Sequence, residues 1–290
     1  MKLYDGRYEI FERLGEGGMS TVELALDHEQ DRLVAVKRLL PHRLCDEFDL
    51  TTFRRESCVM RHLEGIRGVP RLLGTGEVDG CPYLVMEHVE GVGLGERVDS
   101  SQLDWVDSAD LVARAALRVD AVHRAGYTHR DVKPANFLID HAEEIWLIDF
   151  GIAERAHSEA TAAESEFILG TPSFMAPERV DPSVCDRRDP RSDVYSLGVI
   201  LYEFLAGRLP FEGGSETQIL SRVDRIVPPP PHEVVPEIPL GISDVAVRAM
   251  APLPLDRFPS ARDLAAAIFQ ILIPVAAERY LLEARGSIAA

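Results

Sequence analysis

The sequence predicts an α+β protein of two lobes: a small antiparallel β lobe with one helix over residues 1–87, and a larger, mainly helical lobe over residues 88–290. Three observations carry that expectation. Strand-like runs of β-branched and apolar residues crowd the stretch before Glu87. A glycine-rich segment, Glu90-Gly-Val-Gly-Leu-Gly95, then breaks the pattern and suits a hinge or connector. Beyond it, apolar residues recur at helical spacing in long segments. With 290 residues, 46% of them apolar, the chain can bury one large core or two adjoining ones.

In order, Tyr8 to Leu14 reads as a strand entering a glycine turn, and Thr21 to Leu26 as its returning partner. Leu33 to Leu39 reads as a third strand. Phe53 to Leu63 carries Phe53, Val59, Met60 and Leu63 at helical spacing, with Arg and Glu between them. Arg71 to Val78 and Tyr83 to Glu87 read as two more strands joined by the turn Asp79-Gly80. Helical patterns then cover Ser108 to Ala125, Ser192 to Ala206, Ser243 to Ala251 and Ala261 to Glu283. The run Val227-Pro-Pro-Pro-Pro231 has the composition of a polyproline ligand, but its place between two helical patterns makes it an ordinary extended loop.

Composition narrows the partners. A formal charge of −17, from 48 acidic and 31 basic residues, disfavours nucleic acid and anionic membrane, which need clustered Lys and Arg. The apolar stretch from Ile268 to Val275 is interrupted by Gln270 and Pro274 and falls short of the ~20 residues that cross a bilayer. The N-terminus has no signal-peptide stretch. The expectation is a cytoplasmic chain without a membrane segment, with an anchor in a longer parent protein left open. Cys45, Cys58, Cys81 and Cys185 are scattered, without the paired spacing of zinc sites or disulfide frameworks, and read as reduced thiols.

Three motifs carry chemistry. In Leu14-Gly15-Glu16-Gly17-Gly18-Met19-Ser20-Thr21-Val22 a strand–turn–strand brings backbone N–H groups close to phosphates, where a Cβ would collide. A dinucleotide fingerprint would need a helix next, and a strand follows instead. In Val34-Ala35-Val36-Lys37 a lysine ends a buried-looking strand, which is costly without anionic partners. Glu56, in the expected helix, offers a carboxylate. The decisive segment is His129-Arg130-Asp131-Val132-Lys133-Pro134-Ala135-Asn136-Phe137-Leu138, followed by Asp149-Phe150-Gly151. Phosphoryl transfer asks for that set: oxygen ligands for Mg²⁺, a carboxylate aimed at the attacking hydroxyl, and cations for the γ-phosphate.

With these motifs the sequence resembles the eukaryotic-type protein kinase family from about Tyr8 to Leu264, in its bacterial serine/threonine style. The resemblance implies the two-lobed protein kinase fold, ATP and Mg²⁺ as cofactors, and phosphorylation of serine or threonine hydroxyls on protein substrates. By motif position, Leu14, Gly15, Glu16, Gly17 and Gly18 lie in the loop over the ATP phosphates. Lys37 holds the α- and β-phosphates and pairs with Glu56. Asp131 is the catalytic base, Lys133 meets the γ-phosphate, and Asn136 and Asp149 are the Mg²⁺ ligands. Val22, Ala35 and Leu138 enclose adenine, with Met86 behind it and Glu87 to Val89 as the connector whose backbone bonds its edge. His129 is expected to be a packing and hydrogen-bonding residue. Glu178, closing Gly170-Thr171-Pro172-Ser173-Phe174-Met175-Ala176-Pro177-Glu178, is expected to pair with Arg257.

The competing reading is a pseudokinase that serves as a scaffold or regulator; the presence of Lys37, Glu56, Asp131, Lys133, Asn136 and Asp149 favours the enzyme. The resemblance also points to autophosphorylation between Asp149 and Glu178. A phosphate on Thr161 or Ser165 would meet Arg130, while Thr171 contacts Asp131 and Lys133 as part of the substrate platform. Glu154 stands where many relatives carry a basic residue. Similar bacterial kinases form back-to-back dimers, so a homodimer through the small lobe is a candidate arrangement. Ala135 removes one acidic anchor, so only a weak preference for basic residues upstream of the acceptor is expected.

Overall fold

The alternating runs of the first ninety residues fold as strands, since each can bury a face while its backbone pairs with a neighbour. A computed structural model describes residues 2–101, 103–156, 170–180, 189–211, 213, 215–223 and 226–288. Strands β1 (Lys2–Tyr4), β2 (Tyr8–Glu16), β3 (Ser20–Asp27), β4 (Arg32–Leu39), β5 (Leu72–Val78) and β6 (Cys81–Glu87) form an antiparallel sheet in the order β1-β2-β3-β4-β6-β5. Its registers pair Val22 with Lys37, Leu24 with Ala35 and Ala35 with Met86, so these five residues share one face. The other face buries Tyr4, Tyr8, Ala25, Val34, Val36, Tyr83 and Val85.

Helix α1 (Glu47–His62) joins the sheet through a cluster of Leu39, Phe53 and Leu84. It starts six residues before the expected Phe53. Asp46 caps it, accepting from the N–H groups of Phe48 and Asp49 at 2.9 and 3.3 Å, and Leu50 of its first turn packs against the same cluster. The expected connector is not a free hinge either. Gly91–Gly93 forms β7, and a Cβ on Gly91 would lie 2.3 Å from the Ile139 carbonyl oxygen, so only glycine fits this approach.

Helices dominate from there: α2 (Leu94–Ser101) and α3 (Trp105–Arg124), then short strands β8 (Tyr127–Thr128), β9 (Phe137–Asp140), β10 (Ile145–Leu147) and β11 (Glu154–Arg155). After them come α4 (Pro177–Val180), α5 (Arg191–Ala206), α6 (Glu216–Val223), α7 (Pro231–Val234), α8 (Leu240–Ala249) and α9 (Ala261–Ile288). Strands β10, β9 and β7 make one small sheet, and β11 pairs with β8 in another. The proline run is extended as far as Pro230, and its Pro229 carbonyl accepts from the Tyr202 hydroxyl at 2.9 Å.

The chain divides into two compact units, residues 1–92 with 138–153, and residues 93–137 with 154–290. The first is the antiparallel β unit with α1, and the second is mainly helical. The division falls at 92/93, where 87/88 was expected, and it returns 138–153 to the first unit because β7 and β9 are paired. In the second unit α5 is apolar on nearly every side and buried from Ser192 through Tyr202, as a central helix must be. Helix α9 packs on α3 and α8 through Ala261, Leu264, Ala265, Ile268 and Leu272. By length and composition alone the stretch Pro254–Glu278 is sufficient to cross a membrane, against the expectation drawn from its interrupted centre, and 28% of its apolar window is buried. Among the described cysteines, Cys45, Cys58 and Cys81 are free thiols.

Candidate active site

The first unit gathers the expected phosphate-side residues. Strand β4 sends Lys37 off the face it shares with Ala35, and α1 presents Glu56 to it. The Lys37 ammonium donates to both Glu56 carboxylate oxygens, at 2.8 and 2.7 Å, and to Asp149 Oδ1 at 2.7 Å. Lys37 and Glu56 are buried, while the Asp149 side chain is 45% exposed. Burial alone would pull the Lys37 ammonium down. The charges of Asp149 and Glu56 outweigh it and hold it above its ordinary value, so it stays charged.

The glycine loop joins β2 to β3. Gly17 N–H donates to Ser20 O at 2.8 Å, and the Thr21 hydroxyl donates to Gly15 O at 3.2 Å. A Cβ on Gly15 or Gly18 would meet no protein atom within 4 Å, and one on Gly17 would meet only Ser20 O, at 3.8 Å. Nothing in the fold itself therefore demands glycine there. Leu14 is exposed beside the register shift between Arg13 and Gly15, and Glu16 pairs with Arg13. Val22, Met86 and Leu138 are half-buried, as are Glu87 and Val89; Glu87 N–H is committed to Arg71 O at 2.9 Å.

The second unit gathers the hydroxyl-side residues around Asp131. Lys133 lies 2.7 Å from Asp131 Oδ2, and Asn136 Nδ2 donates to the Asp131 backbone oxygen at 2.7 Å and to Oδ2 at 3.1 Å. Asp131 Oδ1 accepts from the Thr171 N–H and hydroxyl at 3.0 and 2.9 Å, and Lys133 donates to the same hydroxyl at 2.8 Å. The contact expected of Thr171 is present. Gly170 enters this turn with φ of 113°, and a Cβ there would lie 3.2 Å from Arg130 O.

Asp193 was missed as a site residue. It lies in the first turn of the apolar helix α5 and accepts from His129 N at 2.7 Å, Arg130 N at 2.8 Å and His123 Nε2 at 2.8 Å. Burial pushes its carboxyl up, but the bonds and charges of His123 and His129 win and hold it below the usual carboxylate range. Its sequence signals are an acid opening an otherwise apolar helix and the resemblance of Asp193-Val-Tyr-Ser-Leu-Gly198 to the start of the large-lobe central helix, neither of which points to the Asp131 loop. Arg130 does not await a partner: its guanidinium forms an ion pair with Glu154, and its carbonyl accepts from Arg179. Thr161 and Ser165 lie outside the described residues. Ala135 shares a cleft of about 660 Å³ with Glu96 and Asp99, an acidic lining the sequence reading did not anticipate.

Glu178 and Arg257 meet as expected, at 2.7 Å through each of two parallel bonds, and neither side chain is exposed. The remaining Arg257 donors reach the carbonyls of Ala251, Arg191 and Pro252, so all five guanidinium N–H groups are used.

Residues 8–244 match the model of the protein kinase domain. The chain is 33% identical to serine/threonine-protein kinase PrkC of Bacillus subtilis over 92% of its own length and 41% of the relative's. It is 33% identical to serine/threonine-protein kinase PknB of Mycobacterium leprae, covering 91% and 43%. With serine/threonine-protein kinase PknL of Mycobacterium tuberculosis it shares 36% identity, covering 94% and 68%. It thus spans about two fifths of PrkC and PknB. The match over most of its length makes this chain a member of the protein kinase domain family.

Proposed function

We propose that the chain transfers the γ-phosphoryl group of ATP to serine or threonine hydroxyls of protein substrates. The observation that carries this reading is the grip on Thr171: one hydroxyl donates to Asp131 while accepting from Lys133. An acceptor hydroxyl needs the same two partners, one to take or orient its proton and one to offset charge on the phosphoryl oxygens. Lys37, held charged by Glu56 and Asp149, supplies the cation for the nucleotide phosphates. The glycine loop fits that role, since Cβ atoms at Gly15 and Gly18 would fill only the space a phosphate needs.

Each expected Mg²⁺ ligand, taken by itself, suits that cation. Asp149 offers an exposed carboxylate, and Asn136, with its amide nitrogen committed to Asp131, keeps its carbonyl oxygen for a hard cation. Bound Mg²⁺ would neutralise charge on the phosphate oxygens. Asp131 receives or orients the acceptor proton as the oxygen attacks phosphorus and ADP leaves, while Lys133 and Lys37 hold the phosphoryl and leaving-group oxygens. Dependence on ATP and Mg²⁺ suits a cytoplasmic setting.

The test is transfer of radiolabelled phosphate from ATP to a generic basic protein. Asp131→Asn is expected to lower turnover on the order of 10²–10⁴-fold while sparing nucleotide binding. Lys37→Met should lower it through lost phosphate positioning with the fold intact. Wild-type rates in both variants would overturn the assignment of Asp131 and Lys37, and a wild type that transfers no phosphate would leave the scaffold reading standing.

A further inference from the structure

Arg130 is the side chain whose use the proposed reaction leaves unexplained. It directly precedes Asp131 and has φ of 71°, in the left-handed region that arginine seldom adopts. Its backbone is tied on both sides, through N–H to Asp193 and through the carbonyl to Arg179. Its side chain is only 7% exposed, and a guanidinium that deep needs an anion. The anion it meets is Glu154, itself 9% exposed. Pairing of β11 with β8 delivers that carboxylate, setting Glu154 opposite Thr128, two residues before Arg130.

The surroundings raise the need for this charge. Arg179 is a second buried guanidinium; burial and the Arg130 charge pull it down to about 10. Arg130 Nε and Nη1 make no directed hydrogen bond, so the Glu154 contact is ionic in character. A phosphate approaching these donors would meet the Glu154 carboxylate, and a group of nearly two negative charges is repelled there.

We propose that Glu154 is a positioning residue for the transfer reaction: its carboxylate gives Arg130 a counter-charge from within the chain, so the Asp131 loop keeps its working geometry without a phosphate on residues 157–169. This rests on the kinase reading above. It replaces the expectation that a phosphate on Thr161 or Ser165 is the partner of Arg130.

The experiment assays the 290-residue chain before and after phosphatase treatment checked by intact mass, beside Glu154→Gln and Glu154→Asp. The stripped wild type should keep its turnover within about twofold. Glu154→Gln should lose on the order of 10–100-fold in kcat with the KM for ATP nearly unchanged, because a slightly misplaced loop costs that much. Glu154→Asp should recover part of the loss, whereas a purely structural role would lower thermal stability and leave kcat of the folded protein alone. A stripped wild type without activity overturns the proposal, as does Glu154→Gln working at the wild-type rate. Should Glu154→Gln fail to fold, the phosphatase comparison still decides. An untreated wild type that transfers no phosphate at all is a different result: it defeats the kinase reading and takes this inference with it.

Discussion

The Glu178–Arg257 pair and the Lys37 cluster are both buried ion pairs, yet they are finished differently. Between Glu178 and Arg257 the charges balance, every guanidinium donor is used and nothing is exposed. Around Lys37 one ammonium faces two carboxylates, and Asp149 remains 45% exposed. The first arrangement is closed and has nothing left to offer a ligand. The second carries an excess negative charge at an exposed edge, which suits a site that takes a cation and phosphates in turn. Burial alone would not separate the two; charge balance and exposure do.

The comparison can be broken most easily at its closed end. Glu178→Ala should destabilise the protein by about 3–5 kcal/mol, since it leaves a fully buried guanidinium without its counter-ion. Urea unfolding measures this, and a loss below about 1 kcal/mol would mean that the backbone carbonyls around Arg257 suffice without the carboxylate.

A smaller effect is expected at the open end. Burial already raises the Glu56 carboxyl, and Lys37 is what counters it. Lys37→Met removes that counterweight, so the folded-state value rises further above the unfolded one. Stability from such a group is present below the unfolded carboxylate range and lost as pH rises through the folded value. The variant should therefore melt higher near pH 5 than near pH 8 relative to wild type. Parallel melting curves across that range would show that Glu56 finds another cation.

The smallest effect belongs to a pair closed on one side only. Asp27 is buried and Arg7 partly exposed, with bonds of 2.7 and 2.6 Å between them. The hydrogen bond from Arg7 holds the Asp27 carboxyl below its ordinary range despite burial. Its stabilisation is present above the unfolded carboxylate value and lost as pH falls through the lower folded one. Asp27→Asn should lower stability at pH 7 and change little once pH has fallen below the folded Asp27 value, so that the acid unfolding seen below about pH 4 is blunted. An unchanged acid midpoint would assign that transition to other carboxylates.

What the sequence made legible follows the same division. Lys37 is conspicuous where it stands, a lysine ending an apolar strand, but its pairing with Glu56 and the pairing of Glu178 with Arg257 come from the resemblance to the protein kinase family. Asp193 was not legible as the anchor of the Asp131 loop, because its partners are two backbone N–H groups and the His123 ring, and backbone donors leave no trace in residue types. The pairing of Glu154 with Arg130 depends on a two-residue strand, too short for any periodicity to announce. The early start of α1 rests on one capping aspartate, and the role of β7 on a neighbour some 48 residues away in sequence.

The return of residues 138–153 to the first unit has a consequence for taking the molecule apart. Two consecutive fragments, cut between Val92 and Gly93, would not correspond to the two units. The first fragment would keep Lys37 and Glu56 but lack Asp149, and would expose the edge of β7 that β9 covers. The second would carry β9 and β10 with the β7 side of β9 uncovered. Fragment complementation at this junction should therefore need both pieces at once, with neither folding ahead of the other. A gene split there would make reassembly itself a sensor for the Lys37–Asp149 contact.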